Sequence, residues 1–376
     1  MKILLTGGGT GGHFYPLIAI AEKLIEIADK KKIIDLKLYY MSVSPYDKRM
    51  LFENSIIYVQ IPCGKMRTYF SIKNFFDIFT TATGMFFGLI SMFFIYPDVV
   101  ISKGGYAAFP AVFAAKLLRI PVIVHESDSY PGRLNVWTAQ FAQKVAISWP
   151  EAIEYLPKEK TALTGQPIRK NILYGSREGA HEFFKLNSGI PIILVLGGSL
   201  GAESINNIFI EILPELLTRY QIIHQTGINN IDDVSSRSKL VMENNKNISH
   251  YVAIPTLNNL ATRMAAGIAD VIVSRAGSQI FEIASWGIPS IIIPRNNSNG
   301  DHQRKNAYNY ARTGACEVID ETNLTPHVLI SEIDKLMTNK EKRDSMKKNA
   351  LSFASPDAAE KIANEAIMIA ESHDQI

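Results

Sequence analysis

Twice along the chain a run of β-branched and apolar residues ends on a cluster of glycines and restarts as an amphipathic helix pattern. The two stretches are KILLTGGGTGGH at 2–13 and ILVLGGSLGA at 193–202. Strand, bare turn and helix in that order signal a parallel sheet covered by helices on both faces. Two such openings in 376 residues, more than one ordinary core accommodates, predict two doubly wound domains. The rest of the sequence keeps the same rhythm. Strand patterns are read at 2–6, 36–41, 56–61, 98–102, 121–125 and 144–148 in the first half. In the second half they fall at 191–197, 221–225, 248–252, 270–274 and 289–294. The turn-rich TGQPIR at 164–169 suits a linker between the halves. The expected division is therefore 1–164, 165–353 and a last helical segment, 354–376, that returns to the first domain. In such sheets ligands bind beyond the carboxyl ends of the strands, so two facing domains would hold a ligand in the cleft between them.

The bulk numbers narrow the class. A net charge of +3 makes no general case for nucleic acid, and the two cysteines stand far apart in no metal-binding spacing. The first residues read as a strand and not as a secretory signal. One segment, IFTTATGMFFGLISMFFIYP at 78–97, has no charge over a length near that of a membrane span. It is preceded by the basic, aromatic KMRTYFSIKNFF at 65–76. A helix resting on a membrane surface, a core helix and a span all fit this pattern, the first of them best.

Gly7, Gly9 and Gly12 satisfy G-x-G-x-x-G between a strand and a helix, a geometry that lets backbone N–H groups and a helix N-terminus reach phosphate oxygens. That pattern alone suits a nicotinamide cofactor, a nucleotide sugar or a lipid diphosphate. A dinucleotide enzyme needs an acid at the end of the next strand for the ribose, yet that strand ends YYMSVSP, with no acid until Asp47. No glycine loop is followed by Lys and Ser/Thr, which excludes a P-loop. His13, directly after the last glycine, sits in the first helical turn. From there it can act as a general base near neutral pH, or merely cap the helix or bind a phosphate.

Taken together, GGGTGGHFYP (7–16), KGGYAAFP (103–110), HESDSYPGRLN (125–135), TGQPIR (164–169), GGSLGAESIN (197–206), HQTG (224–227), SRAGSQIFEIASWGIP (274–289) and DHQRKNA (301–307) resemble the bacterial MurG family. These are the N-acetylglucosaminyltransferases that convert lipid I to lipid II in peptidoglycan synthesis. The resemblance implies an α/β fold of GT-B type, two Rossmann-like domains with UDP-GlcNAc held mainly by the second. It implies donor contacts at Thr10, Gly11, Gly12, Asp128, Arg169, Ser199, Glu282, Gln303 and Asn306, and uracil recognition by the backbone near Val252 and Ile254. Glu282, on the apolar FEIASW, needs a ligand or a partner such as Arg275. Acceptor contacts are implied at Gly9, Gly104, Gly105, Tyr106, His125 and Glu126. At position 128 the family carries Asn where this chain has Asp. His13 would be the base, and without an acidic D-x-D pair neither metal nor other cofactor is expected. The implied partners are UDP-GlcNAc, lipid I and an anionic membrane surface, with the enzyme peripheral on the cytoplasmic side. Another GT-B transferase with a different glycolipid or natural-product acceptor, and a non-catalytic nucleotide-sugar-binding module, are the alternatives.

Overall fold

The computed structural model describes residues 1–65, 71, 73–198, 201–296 and 299–373. Two compact units divide the chain. One comprises Met1–Lys170 with Ser355–Ile376, the other Asn171–Ala354.

The first unit is a seven-stranded parallel sheet. Its strands are β1 (Lys2–Thr6), β2 (Lys37–Ser42), β3 (Ile56–Gln60), β4 (Val99–Ser102), β5 (Val122–Glu126), β6 (Lys144–Ile147) and β7 (Thr161–Leu163). They lie in the order β3-β2-β1-β4-β5-β6-β7. The crossovers are α1 (Gly11–Lys31), α2 (Lys48–Glu53), α3 (Lys73–Ile95), α4 (Phe109–Leu117) and α5 (Arg133–Ala139). Because side chains alternate across a strand, β1 feeds two cores. Ile3 and Leu5 pack with Phe14, Leu17 and Ile18 of α1, joined there by Ile362, Ala366 and Ile367. Leu4 faces the other way, with Val100, Val124 and Ala111, Ala114 and Ala115 of α4.

The second unit has a six-stranded parallel sheet: β8 (Ile192–Leu196), β9 (Gln221–Gln225), β10 (Tyr251–Ile254), β11 (Val271–Ser274), β12 (Ser290–Ile292) and β13 (Cys316–Val318). Their order is β10-β9-β8-β11-β12-β13. Around it run α6 (Ala180–Phe184), α7 (Glu203–Leu216), α8 (Ile231–Val241), α9 (Asn259–Ile268), α10 (Gln279–Trp286), α11 (His302–Arg312), α12 (Pro326–Thr338) and α13 (Lys340–Phe353). The final α14 (Ala358–His373) belongs to the first unit and packs on α1.

Two edge strands, β7 and β13, have no counterpart among the sequence patterns, for each is only three residues, TAL and CEV, and mostly half-buried or exposed. The strand expected at 248–252 starts later, at Tyr251, because Lys246–His250 forms a 3-10 turn led by Asn245, whose side chain accepts from Asn247 N. Residues 164–169, read as linker, belong to the first unit, with Gln166 and Arg169 buried.

The apolar segment forms α3, long and apolar enough by composition to cross a membrane. Its buried stripe is Gly84, Gly88 and Met92. The glycines let the helix lie directly on its neighbours, since a Cβ on Gly84 would stand 1.8 Å from the carbonyl oxygen of Pro62 and one on Gly88 3.3 Å from that of Pro110. The opposite face exposes Phe75, Phe76, Phe79, Phe86, Phe93 and Phe94. A span is excluded by topology. The helix joins β3 to β4, and both strands belong to one sheet, so its ends cannot lie on opposite sides of a bilayer.

Candidate functional site

Each sheet reverses direction once, between β1 and β4 in the first unit and between β8 and β11 in the second. The crevice outside the strand ends at such a reversal is where open α/β sheets bind ligands. The glycine loops sit at these two places.

In the first unit the loop after β1 (7–10) meets the loop after β4 (103–105). Gly9 and Gly105 have positive φ, 88° and 79°. A Cβ on Gly9 would press on the Tyr106 ring at 3.1 Å, and one on Gly105 would stand 3.4 Å from Nε2 of His13. His13 therefore lies over the second loop. Thr10 caps α1 with extended backbone but makes no side-chain cap. Its hydroxyl lies 2.9 Å from Nδ1 of His13. In the tautomer whose Nδ1–H donates to Thr10, Nε2 presents its lone pair on the Gly105 side, which is the geometry of an oriented general base. Gly11 and Gly12 form the first turn of α1, whose N-terminus faces the same place with its positive dipole end.

At the end of the neighbouring strand β5, His125 and Glu126 are buried. His125 is fully buried, its Nε2 3.0 Å from the Gly165 carbonyl oxygen and 3.3 Å from the Ser148 hydroxyl. Burial, followed by the charge of Lys103, holds its pKa well below the usual histidine value. Glu126 accepts from the backbone N–H groups of Asp128 and Gly132 (both 2.9 Å) and from the Asn135 amide (2.8 Å), organising the 126–132 turn. Burial and the Asp128 carboxylate raise its carboxyl above the ordinary range, against the opposing pull of Lys103 and these donors. Gly104 needs its missing side chain, for a Cβ there would fall 2.3 Å from Oδ1 of Asn135. Arg169 is buried with its guanidinium carbon 3.9 Å from the Tyr15 ring centre, a cation–π contact that ties it to α1.

In the second unit the implied donor residues gather at the strand carboxyl ends. The loop after β8 brings Gly198 and Gly201, both with positive φ. A Cβ on Gly201 would strike the Thr226 carbonyl oxygen at 2.2 Å. Ser199 lies outside the described residues, as do Arg67 and Tyr69 of the basic stretch before α3. Glu282 is half-buried in the first turn of α10, after β11. Arg275 makes its ion pair with Glu321 and also donates to Ser204 (2.6 Å) and to the Ile293 carbonyl (3.1 Å). Gln303 accepts from Arg295 N at 3.0 Å. Asn306 is buried and donates to the Ala276 carbonyl at 3.2 Å, bracing the loop before α10. Val252 and Ile254 lie on edge strand β10, and the Ile254 carbonyl already accepts from Thr226 N at 2.9 Å. Sequence reasoning passed over Lys103, Ser127 and Asn135, whose only signal was their place beside the GGY and HES stretches.

Two parallel-sheet α/β units, each with a glycine loop at its reversal, are the two Rossmann-like domains of a GT-B-type protein. The first matches the glycosyltransferase family 28 N-terminal domain over residues 3–147, and residues 192–362 match the family's C-terminal domain. A Bacillus thuringiensis UDP-N-acetylglucosamine–N-acetylmuramyl-(pentapeptide) pyrophosphoryl-undecaprenol N-acetylglucosamine transferase is 37% identical over 90% of this chain and 92% of its own. The enzyme of that name from Thermodesulfovibrio yellowstonii is 36% identical over 99% and 98%. The chain belongs to the MurG family of family 28 glycosyltransferases. Among solved structures, Acinetobacter baumannii MurG shares the fold with a TM-score of 0.72 at 24% identity, covering 98% of this chain and 99% of that one. The UDP-GlcNAc 2-epimerase of Neisseria meningitidis, solved with UDP-GlcNAc, gives 0.68 at 17%, covering 98% and 100%.

Proposed function

We propose that this protein transfers N-acetylglucosamine from UDP-GlcNAc to the 4-hydroxyl of the muramoyl sugar of lipid I, yielding lipid II for peptidoglycan synthesis, and so serves wall growth, cell shape and division. The observation that carries the reading is His13 seated over the Gly104–Gly105 loop at the reversal of the first sheet. The acceptor's diphosphate docks on that bare loop, and its sugar hydroxyl reaches Nε2 of His13. The hydroxyl oxygen attacks the anomeric carbon, its proton passes to Nε2, and the bond from that carbon to the diphosphate oxygen breaks, so the configuration inverts. The departing UDP carries the electron pair. Glycine-loop amides and helix N-termini offset its growing charge, the kind of preorganised electrostatics that usually contributes most to catalysis. In the second unit Ser199 and the amides of the β8 loop hold the diphosphate, Glu282 accepts from the ribose hydroxyls, and Gln303 reaches the donor sugar. Asn306 acts by bracing the loop before α10.

The acceptor's polyprenyl chain stays in a bilayer, so the enzyme must work at the membrane surface. The exposed aromatic face of α3, next to Lys65 and Lys73, suits an anionic cytoplasmic leaflet. Incubation with UDP-GlcNAc and a lipid I analogue, following UDP release, tests the reading. Acceptor-dependent release is expected from the wild type, and His13→Ala should turn over about 100- to 10,000-fold more slowly with UDP-GlcNAc affinity retained. Wild-type turnover in that variant would remove His13 as the base.

A further inference from the structure

Lys103 is the last residue before Gly104 and Gly105, and it is 2% exposed. A buried ammonium is unusual unless it is paired. This one reaches three loops. Its backbone N–H donates to the Thr6 carbonyl at 2.9 Å, next to the first glycine loop. Its stem runs beneath Gly7, where an added Cβ would close to 3.0 Å of the Lys103 Cβ. Its Nζ donates to the Ser127 hydroxyl in the turn after β5. The carboxylates on either side of Ser127, Glu126 and Asp128, both act on it electrostatically. Burial, outweighing the upward pull of those carboxylates, brings the ammonium down to about 8, so it is mostly charged at neutral pH. Ser127 is itself locked, since its carbonyl accepts from the Trp149 indole at 2.9 Å.

Lys103 thus ties the bare 103–105 loop to the glycine loop after β1 and to the turn after β5. Glu126 and Asp128 act on its ammonium from that turn, and removing its charge would leave their negative field without this opposing charge.

We propose that Lys103 is a positioning residue for the acceptor's diphosphate, fixing the loops at 7–10, 103–105 and 126–132 in register and offsetting Glu126 and Asp128 so that a lipid-linked anion can bind. This rests on the functional reading above. The ammonium does not touch the ligand. Its effect passes through backbone geometry and through charge at close range in a buried setting, where screening by salt is weak.

Lys103→Met keeps length and removes charge, whereas Lys103→Arg keeps charge. Both are assayed in the full chain with two acceptors, a lipid I analogue and the same muramoyl pentapeptide as a simple glycoside without diphosphate. For Lys103→Met the KM of the lipid I analogue should rise at least tenfold, while the KM of UDP-GlcNAc and the KM of the diphosphate-free glycoside stay within twofold. Lys103→Arg should recover most of the loss. Ser127→Ala, which removes only the hydroxyl, should move the same KM in the same direction by less, and it carries the test if Lys103→Met does not fold. Equal rises in donor and acceptor KM, or equal losses with both acceptors, would reduce Lys103 to a structural residue and overturn the inference. A wild type that transfers sugar normally beside a Lys103→Met enzyme with unchanged KM overturns this inference alone. A wild type that transfers nothing overturns the functional reading and this with it.

Discussion

Gly105→Ala strikes the proposed site at one carbon atom. Gly105 has φ 79° and ψ 158°, a region that only glycine adopts freely, and placing an L-residue there costs about 1–3 kcal/mol. The new Cβ would also lie 3.1 Å from the Gly8 carbonyl oxygen and 3.4 Å from Nε2 of His13. The first contact is tighter than ordinary packing and is made with backbone, so the two loops must part by a few tenths of an ångström. The second displaces His13, the proposed base. A misplacement of about 1 Å at a reacting group can cost on the order of 100-fold, so a shift of a few tenths should cost roughly 3- to 10-fold in kcat. Urea denaturation should report the stability loss in the first unit, and UDP release with a lipid I analogue the loss of turnover. Calorimetry with UDP-GlcNAc should find donor affinity less affected than turnover, because Ser199, Val252, Ile254, Glu282, Gln303 and Asn306, most of the implied donor contacts, belong to the second unit. Gly179→Ala is the control. Its φ is also positive, 68°, but nothing lies within 4 Å of an added Cβ, so it should lose stability alone. Wild-type turnover in Gly105→Ala, or a matching loss in Gly179→Ala, would refute the reasoning.

Two further outcomes follow from other parts of the molecule. His224 is fully buried between the Tyr251 hydroxyl (2.8 Å) and Oδ1 of Asn206 (3.0 Å), and burial pushes its pKa down to about 3. Its folded value lies below the unfolded one, so from pH 6.5 downward the unfolded chain takes up a proton that the native state refuses. Stability should fall by about 2 kcal/mol between pH 7 and pH 5 from this group. Urea titrations of wild type and His224→Gln check it, and an identical pH slope in both would exclude His224 as the source. On α3, Phe93 and Phe94 are 63% and 78% exposed. Exchanging both for Ser removes apolar area worth about 1.5–3 kcal/mol per ring on full burial, so flotation with anionic vesicles should drop at least tenfold while transfer to a water-soluble acceptor is kept. Undiminished flotation would relocate the membrane contact elsewhere.

Local pattern carried a large share of the architecture. The runs at 2–6 and 221–225 coincide with β1 and β9 residue for residue, because an apolar β-branched run closed by glycine or a turn determines strand and loop without help from distant parts. The glycine loops and His13 were legible for the same reason: their geometry is written in adjacent residues. Strands β7 and β13 were not, since three residues at a sheet edge leave no period to read.

Several side-chain roles depended on neighbours remote in the chain. The sequence HES marks a strand end near a ligand, yet only the closing of Gly165 and Ser148 over His125, and of Gly132 and Asn135 over Glu126, turns both inward. Arg169 reads as a donor contact that follows a linker, and only the fold shows its guanidinium over Tyr15 of α1. The apolar run at 78–97 fits a surface helix best by composition, with a core helix and a span as alternatives. Its return into the same sheet, and the glycine stripe seated on Pro62 and Pro110, decide that one face is packed and the other bare. By itself the sequence determined the two glycine-loop openings, the layered α/β class and the place of His13 directly after the first of those loops. The tertiary structure alone decided which polar groups are enclosed and which face outward, because burial is set by what folds over a residue and that partner is seldom its neighbour in the chain.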